Sequence, residues 1–255
     1  MKRVNLVVIV VLALALLLSA CGGAQSNKLV VGTSADYPPY ESKDTATNEF
    51  VGFDMDLIRE IGKRIGMEVE ITDMAFDSLI AGVQEGKVDA VIAAMQKSAE
   101  RQEKVDFSEG YHTQQDAFVV SGDSTIVMTK PQDAAGLKVG VQTGTLQEQW
   151  AVDNLVPAGT AEDQVVFRYE RVDQGALDVK SGRIDVLFIN ADPAAELAQK
   201  EGLKVALVTG DTVAAPQAIA VKKGNAELLK KINDALAAME KDGTIKQLLA
   251  KWNIP

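Results

Sequence analysis

Apolar residues fall into two kinds of segment along this chain. Short runs rich in β-branched residues alternate with longer stretches in which apolar residues recur every three or four positions. The short runs are typical of buried strands, and the longer period is typical of amphipathic helices. Strands that alternate with helices favour an α/β fold with mostly parallel sheets. The predicted strands are Leu29–Gly32, Val69–Thr72, Val88–Ala93, Val139–Val141, Ile184–Ile189, Val205–Val208 and Ala218–Val221.

The clearest predicted helix covers residues 54–66. Its apolar residues from Met55 to Ile65 share one face, acids occupy the first turn, bases occupy the last turn, and Gly66 follows. This is the charge and capping pattern of an isolated amphipathic helix. A second amphipathic stretch, 225–255, has no counterpart in the middle of the chain and is predicted to fold back as helix on the first part of the protein.

Two parts of the chain, about a hundred residues apart, repeat the same order of elements. Residues 76–93 and 173–189 each pass from a helix through Gly-basic-aliphatic-Asp into an apolar strand, and a strand enters a polar turn at 31–37 and again at 139–145. The repetition predicts two lobes of similar build. The predicted boundaries are 29–114 with 215–255 for the first lobe and 115–214 for the second, with crossings near Thr113–Phe118 and Val213–Gln217.

The first twenty residues differ in composition from the rest. Two basic residues precede an uncharged apolar run of about 17 residues, which ends in Leu-Ser-Ala at 18–20. This pattern predicts a signal peptide at 1–20; the alternative is a membrane anchor, for which the run is short. Residues 18–21 resemble a bacterial lipobox, which makes Cys21 the predicted lipid attachment site and 21–28 a polar tether.

Composition and charge exclude several classes of protein. With 255 residues, 47% hydrophobic and 24% charged, the chain is ordinary for a soluble globular protein of one or two domains. One Cys and one His exclude a Cys/His zinc or iron–sulfur site, and no metal or cofactor is predicted. The net charge is −10, or −12 without the two basic residues near the N-terminus, so nucleic acid is not a predicted partner.

Polar and aromatic residues follow most of the predicted strands. In two-lobed α/β proteins the carboxyl ends of the strands face a shared crevice, where ligands bind. Arg101 is a candidate carboxylate clamp because its planar guanidinium binds two oxygens at once; the alternative is a solvated residue beside Glu100 and Glu103. The turn at 143–146 opens a helix, whose free N–H groups suit an anion. Further candidates are Ser34, Asp36, Tyr37, Tyr40, Phe76, Ala94, Met95, Gln96, Asn190 and Asp192, with packing as the alternative for the aromatic residues.

Seven segments in a fixed order carry a family resemblance from Leu29 to Trp252. They are GTSADYPPY at 32–40, FVGFDMDLIREIGKRIG at 50–66, FDSLIAGVQEGKVDAVIAAM at 76–95, ERQEKVDFS at 100–108, KVGVQTGT at 138–145, GRIDVLF at 182–188 and DGTIKQLLAKW at 242–252. The ordered set resembles the extracytoplasmic solute-binding proteins of polar amino-acid ABC importers (family 3). The lipobox is in keeping with it, because Gram-positive-type members are lipoproteins.

The resemblance implies a type II periplasmic-binding-protein-like fold, in which each lobe is a mixed sheet flanked by helices and the ligand lies in the cleft between lobes. It implies a non-catalytic monomer that captures an amino acid or similar small polar carboxylate by hinge closure. That monomer would be lipid-anchored outside the cytoplasmic membrane and would partner an ABC permease. It also implies a role for several of the candidate residues. Phe76 and Tyr37 would flank the ligand side chain, Arg101 would pair with the α-carboxylate, and backbone at Ala94, Gln96 and Thr145–Leu146 would complete the shell.

Three positions depart from the family's usual pattern. Gln96 stands where the family has a small hydroxyl residue and would occupy more of the pocket. Asn190 stands where the family usually has the Asp that binds the ligand ammonium, and an amide carries no charge. Ser34 stands where members for basic amino acids often have an acid, which argues against a lysine- or arginine-type ligand. With Arg101 kept and the acid lost, the charge balance shifts toward a ligand with net negative charge.

Two other functions stay open at this stage. Dehydratases that act on cyclohexadienyl acids resemble these binding proteins, but that chemistry needs a pocket acid with a tuned pKa. Asp36 and Asp192 are the candidates for such an acid. The chain is also compatible with a ligand-presenting partner of a receptor. The identity of the ligand does not follow from the sequence, because selectivity depends on a few side chains whose placement one sequence does not give.

Overall fold

A computed structural model describes residues 28–210, 212–213 and 215–255. The predicted signal peptide, the lipid attachment site at Cys21 and nearly all of the predicted tether lie outside these residues. Lys28, which the sequence prediction assigned to the tether, is instead the first residue of a strand. Its ammonium pairs with Glu70 on the neighbouring strand at 3.1 Å, so the strand continues one residue beyond its apolar run.

The strands are numbered here in chain order. They are β1 (Lys28–Thr33), β2 (Asp36–Tyr37), β3 (Glu41–Lys43), β4 (Phe50–Val51), β5 (Glu68–Asp73), β6 (Ala90–Val91), β7 (Val105–Phe107), β8 (Asp116–Ser121), β9 (Val139–Gln142), β10 (Val166–Tyr169), β11 (Val186–Asn190), β12 (Leu203–Thr209) and β13 (Ala220–Lys222).

The strands form two five-stranded sheets and one small sheet. The first has the order β5-β1-β6-β13-β7 and builds lobe 1, the second has the order β10-β9-β11-β8-β12 and builds lobe 2, and β2-β3-β4 is antiparallel. In each large sheet a single strand runs against the other four, β13 in the first and β8 in the second. The sheets are therefore mixed, as the family resemblance implied, although most strands share one direction.

The two reversed strands have the same cause. The chain passes between the sheets twice, and β8 is the first strand of lobe 2 after one passage, while β13 is the first strand of lobe 1 after the other. Each enters its sheet directly, without the crossover helix that a parallel neighbour requires. The sequence prediction missed β8, although Ala117–Val120 is a fully buried apolar run. The predicted strand at Val88–Ala93 is confirmed only at its centre, where β6 pairs on both sides.

Eight helices cover the sheets within the described residues. They are α1 (Phe53–Ile65), α2 (Leu79–Glu85), α3 (Ala99–Lys104), α4 (Leu146–Leu155), α5 (Val172–Ser181), α6 (Ala191–Glu201), α7 (Ala226–Lys241) and α8 (Thr244–Lys251).

The helices at the two ends of lobe 1 pack on each other. α1 matches its sequence prediction, with Gly66 in the left-handed region at φ 75° as its C-cap. The predicted helical stretch 225–255 is divided into α7 and α8 at Gly243, where φ is 80°. An ion pair of 2.8 Å joins Arg64 of α1 to Asp242, so the C-terminal helices belong with lobe 1. In the part of the chain that the structure describes, no helix combines the length and the hydropathy needed to cross a bilayer.

Candidate functional site

A cleft between the lobes gathers residues from both sheets and from the small sheet. It contains about 330 Å³ of empty space, counting its opening to solvent. Of the predicted site residues, those that line it are Ser34, Asp36, Tyr37, Phe76, Ala94, Gln96, Arg101, Thr145 and Asn190. Met95 and Leu146 line an adjoining outer groove instead. The cleft also has four lining residues that the sequence analysis did not select, namely Glu41, Ala93, Gln142 and Gln147.

Arg101 is a buried cation in the cleft, with 6% of its surface exposed. Its guanidinium donates to the carbonyl oxygens of Gln96 at 2.6 Å and, across the cleft, of Gly144 at 2.8 Å. It forms no ion pair with a carboxylate of the described residues, because the neighbouring Glu100 pairs with Lys104 at 2.7 Å. Burial lowers the pKa of Arg101 to about 10. A guanidinium has five N–H donors, so Arg101 keeps donors beyond these two bonds.

An aromatic ring and a helix start adjoin this guanidinium. The Phe76 ring lies 5.4 Å from the central carbon of Arg101, within the range of a cation–π contact. On the opposite lobe, Thr145 caps α4 by accepting the N–H of Glu148 at 3.2 Å. The first turn of a helix presents unpaired N–H groups and a partial positive charge. The arrangement is suited to an anionic group held between the two lobes.

Tyr37 and Asn190 join the lobes at the centre of the cleft. The Tyr37 hydroxyl donates to Oδ1 of Asn190 at 2.9 Å and accepts its backbone N–H at 3.0 Å. Both residues are nearly fully buried. Tyr40, by contrast, is a fully buried core residue whose hydroxyl donates to Asp192 at 2.6 Å, so this second pair ties the lobes together outside the cleft.

Asp36 is an acid within the cleft. Its carboxylate accepts the hydroxyl of Ser34 at 2.8 Å, the Gln142 amide at 3.2 Å and, from lobe 2, the backbone N–H of Val172 at 2.6 Å. Burial raises the pKa of Asp36, while the hydrogen bonds from Val172 and Ser34 and the charge of Arg171 oppose the rise. Arg171 lies 3.6 Å from Asp36 and pairs more closely with Asp73 at 2.9 Å.

A pair of fully buried carboxyl groups lies beneath the cleft. Glu41 of β3 faces the cleft and contacts Asp54 at the start of α1. Burial and the partner's charge raise the pKa of Glu41 well above its usual range, and burial raises the pKa of Asp54 to about 7. One oxygen of each group has no hydrogen-bond partner among the described residues, and the raised pKa values favour a proton held by the pair. Asp54 also accepts the N–H of Ala94 at 2.7 Å and so holds that residue at φ 45°, a left-handed conformation that an alanine rarely adopts.

Gln96, which from its size was predicted to occupy more of the pocket than a small hydroxyl residue, lines the cleft and also reaches beyond it. Its amide nitrogen donates to the carbonyl of Val213, on the segment that returns from lobe 2, at 2.9 Å. The long side chain thereby links lobe 1 to a crossing segment. Its backbone carbonyl is what Arg101 contacts.

Comparison with known proteins decides the family. Residues 29–254 match the bacterial extracellular solute-binding proteins, family 3. The chain belongs to this family. The arginine-binding extracellular protein ArtP of Bacillus subtilis is 35% identical over 256 residues, which is 97% of this chain and 96% of that protein.

Solved structures agree with the family assignment. An ancestral arginine-binding protein bound to arginine is 38% identical with a TM-score of 0.79, covering 89% of this chain and 98% of that one. An ancestral amino-acid-binding protein, described as a precursor of cyclohexadienyl dehydratase, is 34% identical with a TM-score of 0.78, covering 89% and 95%. The two-lobed α/β fold of the family is therefore confirmed in this solute-binding protein.

This solute-binding protein has an acid behind Asn190 that the sequence analysis did not select. Asp116 is fully buried at the start of β8 and lies opposite Asn190 in the pairing of β8 with β11. Its Oδ1 accepts the amide of Asn190 at 2.9 Å and that of Gln147 at 2.7 Å. A charged residue at the head of an apolar run is the only sequence signal for it. No group of three or more potential metal-binding side chains occurs among the residues described.

Proposed function

We propose that this protein captures an amino acid in the cleft between its lobes and presents it to an ABC importer. One observation carries the proposal: a buried arginine, Arg101, whose described partners are carbonyl oxygens and an aromatic ring rather than a carboxylate. A buried cation is costly without an anion, and a ligand carboxylate supplies one. The relatives, one named as arginine-binding and one bound to arginine, support an amino acid as the class of ligand.

The carboxylate end of the ligand is proposed to lie between the lobes. Arg101 offers its remaining N–H donors from lobe 1, and the first turn of α4, after Thr145, faces it from lobe 2. Charge-assisted hydrogen bonds of this kind are stronger than neutral ones. Phe76 lines the same region and offers an apolar face to the ligand's aliphatic part.

The rest of the cleft favours a ligand that also carries a positive group. Asp36 and Glu41 line the cleft, and lobe 2 presents the amides of Gln142, Gln147 and Asn190. The three amides donate to protein carboxylates through their NH₂ groups. Their carbonyl oxygens are left as acceptors, and Arg101 is the cleft's charged donor. We therefore favour a zwitterionic amino acid over the net-negative ligand that the loss of an acid at position 190 indicated from the sequence alone.

Closure of the lobes is proposed to accompany binding. Direct hydrogen bonds already cross the cleft, from Arg101 to Gly144, from Tyr37 to Asn190 and from Val172 to Asp36. These bonds support the proposal that the lobes close on each other. Hinge closure around a ligand is a known mode of domain movement, for which periplasmic binding proteins are a standard example.

The experiment that tests this function is a thermal-shift screen of the twenty common amino acids and a set of organic acids on the purified protein. A ligand that binds only the folded form raises Tm by mass action. We expect at least one amino acid to raise Tm in a concentration-dependent way. A protein stabilised by organic acids alone, or by none of the compounds, would contradict the proposal.

The enzymatic alternative is favoured by one observation, the raised pKa of Glu41 at the cleft, and by the resemblance to the dehydratase precursor. The carboxyl group of Glu41 interacts with Asp54, however, and this contact contributes to the raised pKa. We therefore propose a binding protein without catalytic activity. Formation of a dehydrated aromatic product from a cyclohexadienyl acid, with loss of activity in Glu41→Gln, would instead establish the enzyme.

The location is proposed to be extracytoplasmic and membrane-anchored through Cys21. Members of the family are extracellular proteins, and the anchor rests on the lipobox-like residues 18–21. Replacing Cys21→Ala in a version with an ordinary cleavable signal should release the protein into the soluble fraction, because the lipid chains provide the membrane affinity. Retention of the cleaved variant in membranes would refute the anchor.

A further inference from the structure

Two amide side chains on the lobe 2 side of the cleft are oriented by the same carboxylate. Asp116 Oδ1 accepts from Nε2 of Gln147 at 2.7 Å and from Nδ2 of Asn190 at 2.9 Å. An ionised carboxylate accepts hydrogen bonds and donates none, so both amides must turn their NH₂ groups toward Asp116. Their carbonyl oxygens are consequently turned away from it.

Both carbonyl oxygens belong to residues that line the cleft. Oδ1 of Asn190 accepts the hydroxyl of Tyr37 at 2.9 Å, which uses one of its two lone pairs. Gln147 donates from Nε2 to Asp116, and no hydrogen bond from a described residue to its Oε1 accompanies that donation. Each oxygen therefore retains the capacity to accept a hydrogen bond from a group in the cleft.

The carboxylate form of Asp116 is well supported by its surroundings. Its second oxygen, Oδ2, accepts the hydroxyl of Thr212 and the backbone N–H of Val213, the latter at 3.1 Å. Burial raises the pKa of Asp116, and the donors around it lower it. Four donors from described residues converge on one carboxylate, and hydrogen bonds to the charged form favour that form. A fixed negative charge thus lies directly behind the two amides.

We infer that Asp116 is a positioning residue for the ammonium group of the ligand, acting through Asn190 and Gln147. This inference rests on the proposed function, since it assumes an amino acid in the cleft. A cation on the two amide oxygens would be separated from the Asp116 carboxylate by one amide group, a distance at which attraction in a buried site is still considerable. Asp116 then supplies the negative charge that the family's usual acid at position 190 would supply. It does so from behind Asn190, and the amide oxygens of Asn190 and Gln147 make the contact with the ligand.

The test compares ligands that differ only in the ammonium group. Calorimetric titrations would use L-arginine and L-glutamine, each paired with its des-amino counterpart, 5-guanidinopentanoate and 4-carbamoylbutanoate. In Asp116→Asn we expect the affinity for the amino acids to fall about 10- to 100-fold and that for the des-amino compounds to change less than about 3-fold. A purely structural role would lower both equally, and that result would overturn the inference.

Two further variants distinguish the loss of the charge from a defect in folding. In Asp116→Asn/Asn190→Asp the negative charge moves from position 116 to position 190, at the cleft surface, and the hydrogen bond between the two side chains is kept. Amino-acid affinity should therefore return. In Gln147→Met one acceptor is lost but Asp116 stays, so affinity for the amino acids alone should fall. The matched control is Asp178→Asn, which removes a lobe 2 acid that contacts Tyr169 instead, and it should bind as the wild type does.

The outcomes separate the two claims. A wild-type protein that binds none of the four compounds and gives no response in the amino-acid screen contradicts the proposed function together with this inference. A wild-type protein that binds L-arginine or L-glutamine no better than the des-amino counterpart contradicts the inference alone. So does a swap variant that folds, as judged by its thermal unfolding, yet leaves amino-acid affinity at the level of Asp116→Asn.

Discussion

The two sides of the cleft have different electrostatic designs. Lobe 1 places charged groups in direct contact with the cleft, with Arg101 and Asp36 on its surface. Lobe 2 lines the cleft with neutral amides, and the acid that two of them contact, Asp116, is fully buried behind them. Two lobes of similar architecture thus divide the work: one carries the charges that a ligand meets, and the other carries oriented dipoles.

This difference bears on how the lobes approach each other. Charges on both surfaces would have to be desolvated together at closure, at a cost of several kcal/mol for each unpaired ion. Amides lose less on desolvation than ions do. Closure therefore brings neutral groups of lobe 2 against charged groups of lobe 1, as in the contacts of Gly144 with Arg101 and of Gln142 with Asp36. These contacts leave no unpaired charge on the lobe 2 partner.

The strongest test of the comparison removes the lobe 1 cation. Arg101→Ala should weaken amino-acid binding by about 2–5 kcal/mol, the usual effect of deleting one partner of a desolvated charge pair. At about 1.4 kcal/mol per decade this is roughly thirty-fold to several thousand-fold in Kd, measured by calorimetry. Lys104→Ala is the matched control, because it removes an exposed cation from the same short helix. An affinity loss below ten-fold would show that Arg101 is not the carboxylate partner.

A second test places a charge directly on the lobe 2 surface. Asn190→Asp sets a carboxylate against Asp116, where the wild-type amide donates at 2.9 Å. Two acids at hydrogen-bond distance cannot both ionise at low cost, so we expect a loss of about 2 kcal/mol in the free energy of unfolding at pH 7. The loss should shrink at lower pH as the pair takes up a proton. Chemical denaturation at several pH values measures it, and a variant as stable as the wild type at pH 7 would refute the prediction.

A third test uses the acid pair under lobe 1. The pKa of Glu41 and that of Asp54 are both raised by folding, so the folded state holds protons that the unfolded state releases. The stabilisation is complete below about pH 4 and declines as pH rises through about 7, by up to roughly 1.4 kcal/mol per pH unit for one proton.

Glu41→Gln isolates this effect. The amide still donates to Asp54 but no longer titrates, so stability should depend less steeply on pH between about 4.5 and 7. Glu68→Gln, an exposed position on β5, serves as the control. The lowered pKa of His112 contributes a slope of opposite sign in all three proteins, which is why the difference between variants is the quantity to compare. Stability profiles of the wild type and Glu41→Gln that run parallel with pH would show that the pair holds no such proton.

The smallest expected effect concerns the ion pair at the mouth of the cleft. Arg171 of lobe 2 pairs with Asp73 of lobe 1 at 2.9 Å, and both side chains are partly exposed. Arg171→Ala should weaken ligand binding by at most about 1 kcal/mol, and the difference should fade at high salt. Lys180→Ala, which breaks a pair within lobe 2, is the control. A loss of affinity that persists at high salt would mean that Arg171 touches the ligand.

The sequence analysis selected site residues that come after predicted strands, because the end of a strand is where an α/β cleft forms. Ser34 comes directly after β1, whereas Arg101 lies in α3 and was selected because a guanidinium suits a carboxylate. Gln147 is the second residue of α4, directly beyond the selected turn, and its neutral side chain carries no charge signal; Glu41 belongs to a small sheet without an apolar run. Asp116 escaped notice because its role depends on a long-range strand register with Asn190, which local patterns do not specify.

The reversed strand of lobe 1 has a consequence for the order in which the protein can assemble. β13 lies between β6 and β7 in the sheet, yet it is made more than a hundred residues after them. All strands of lobe 2 fall between β7 and β13 in the chain. During synthesis, which begins at the N-terminus, lobe 2 can therefore complete its sheet while the sheet of lobe 1 still lacks β13. The sheet of lobe 1 is complete only when β13 inserts between β6 and β7, which were synthesised much earlier.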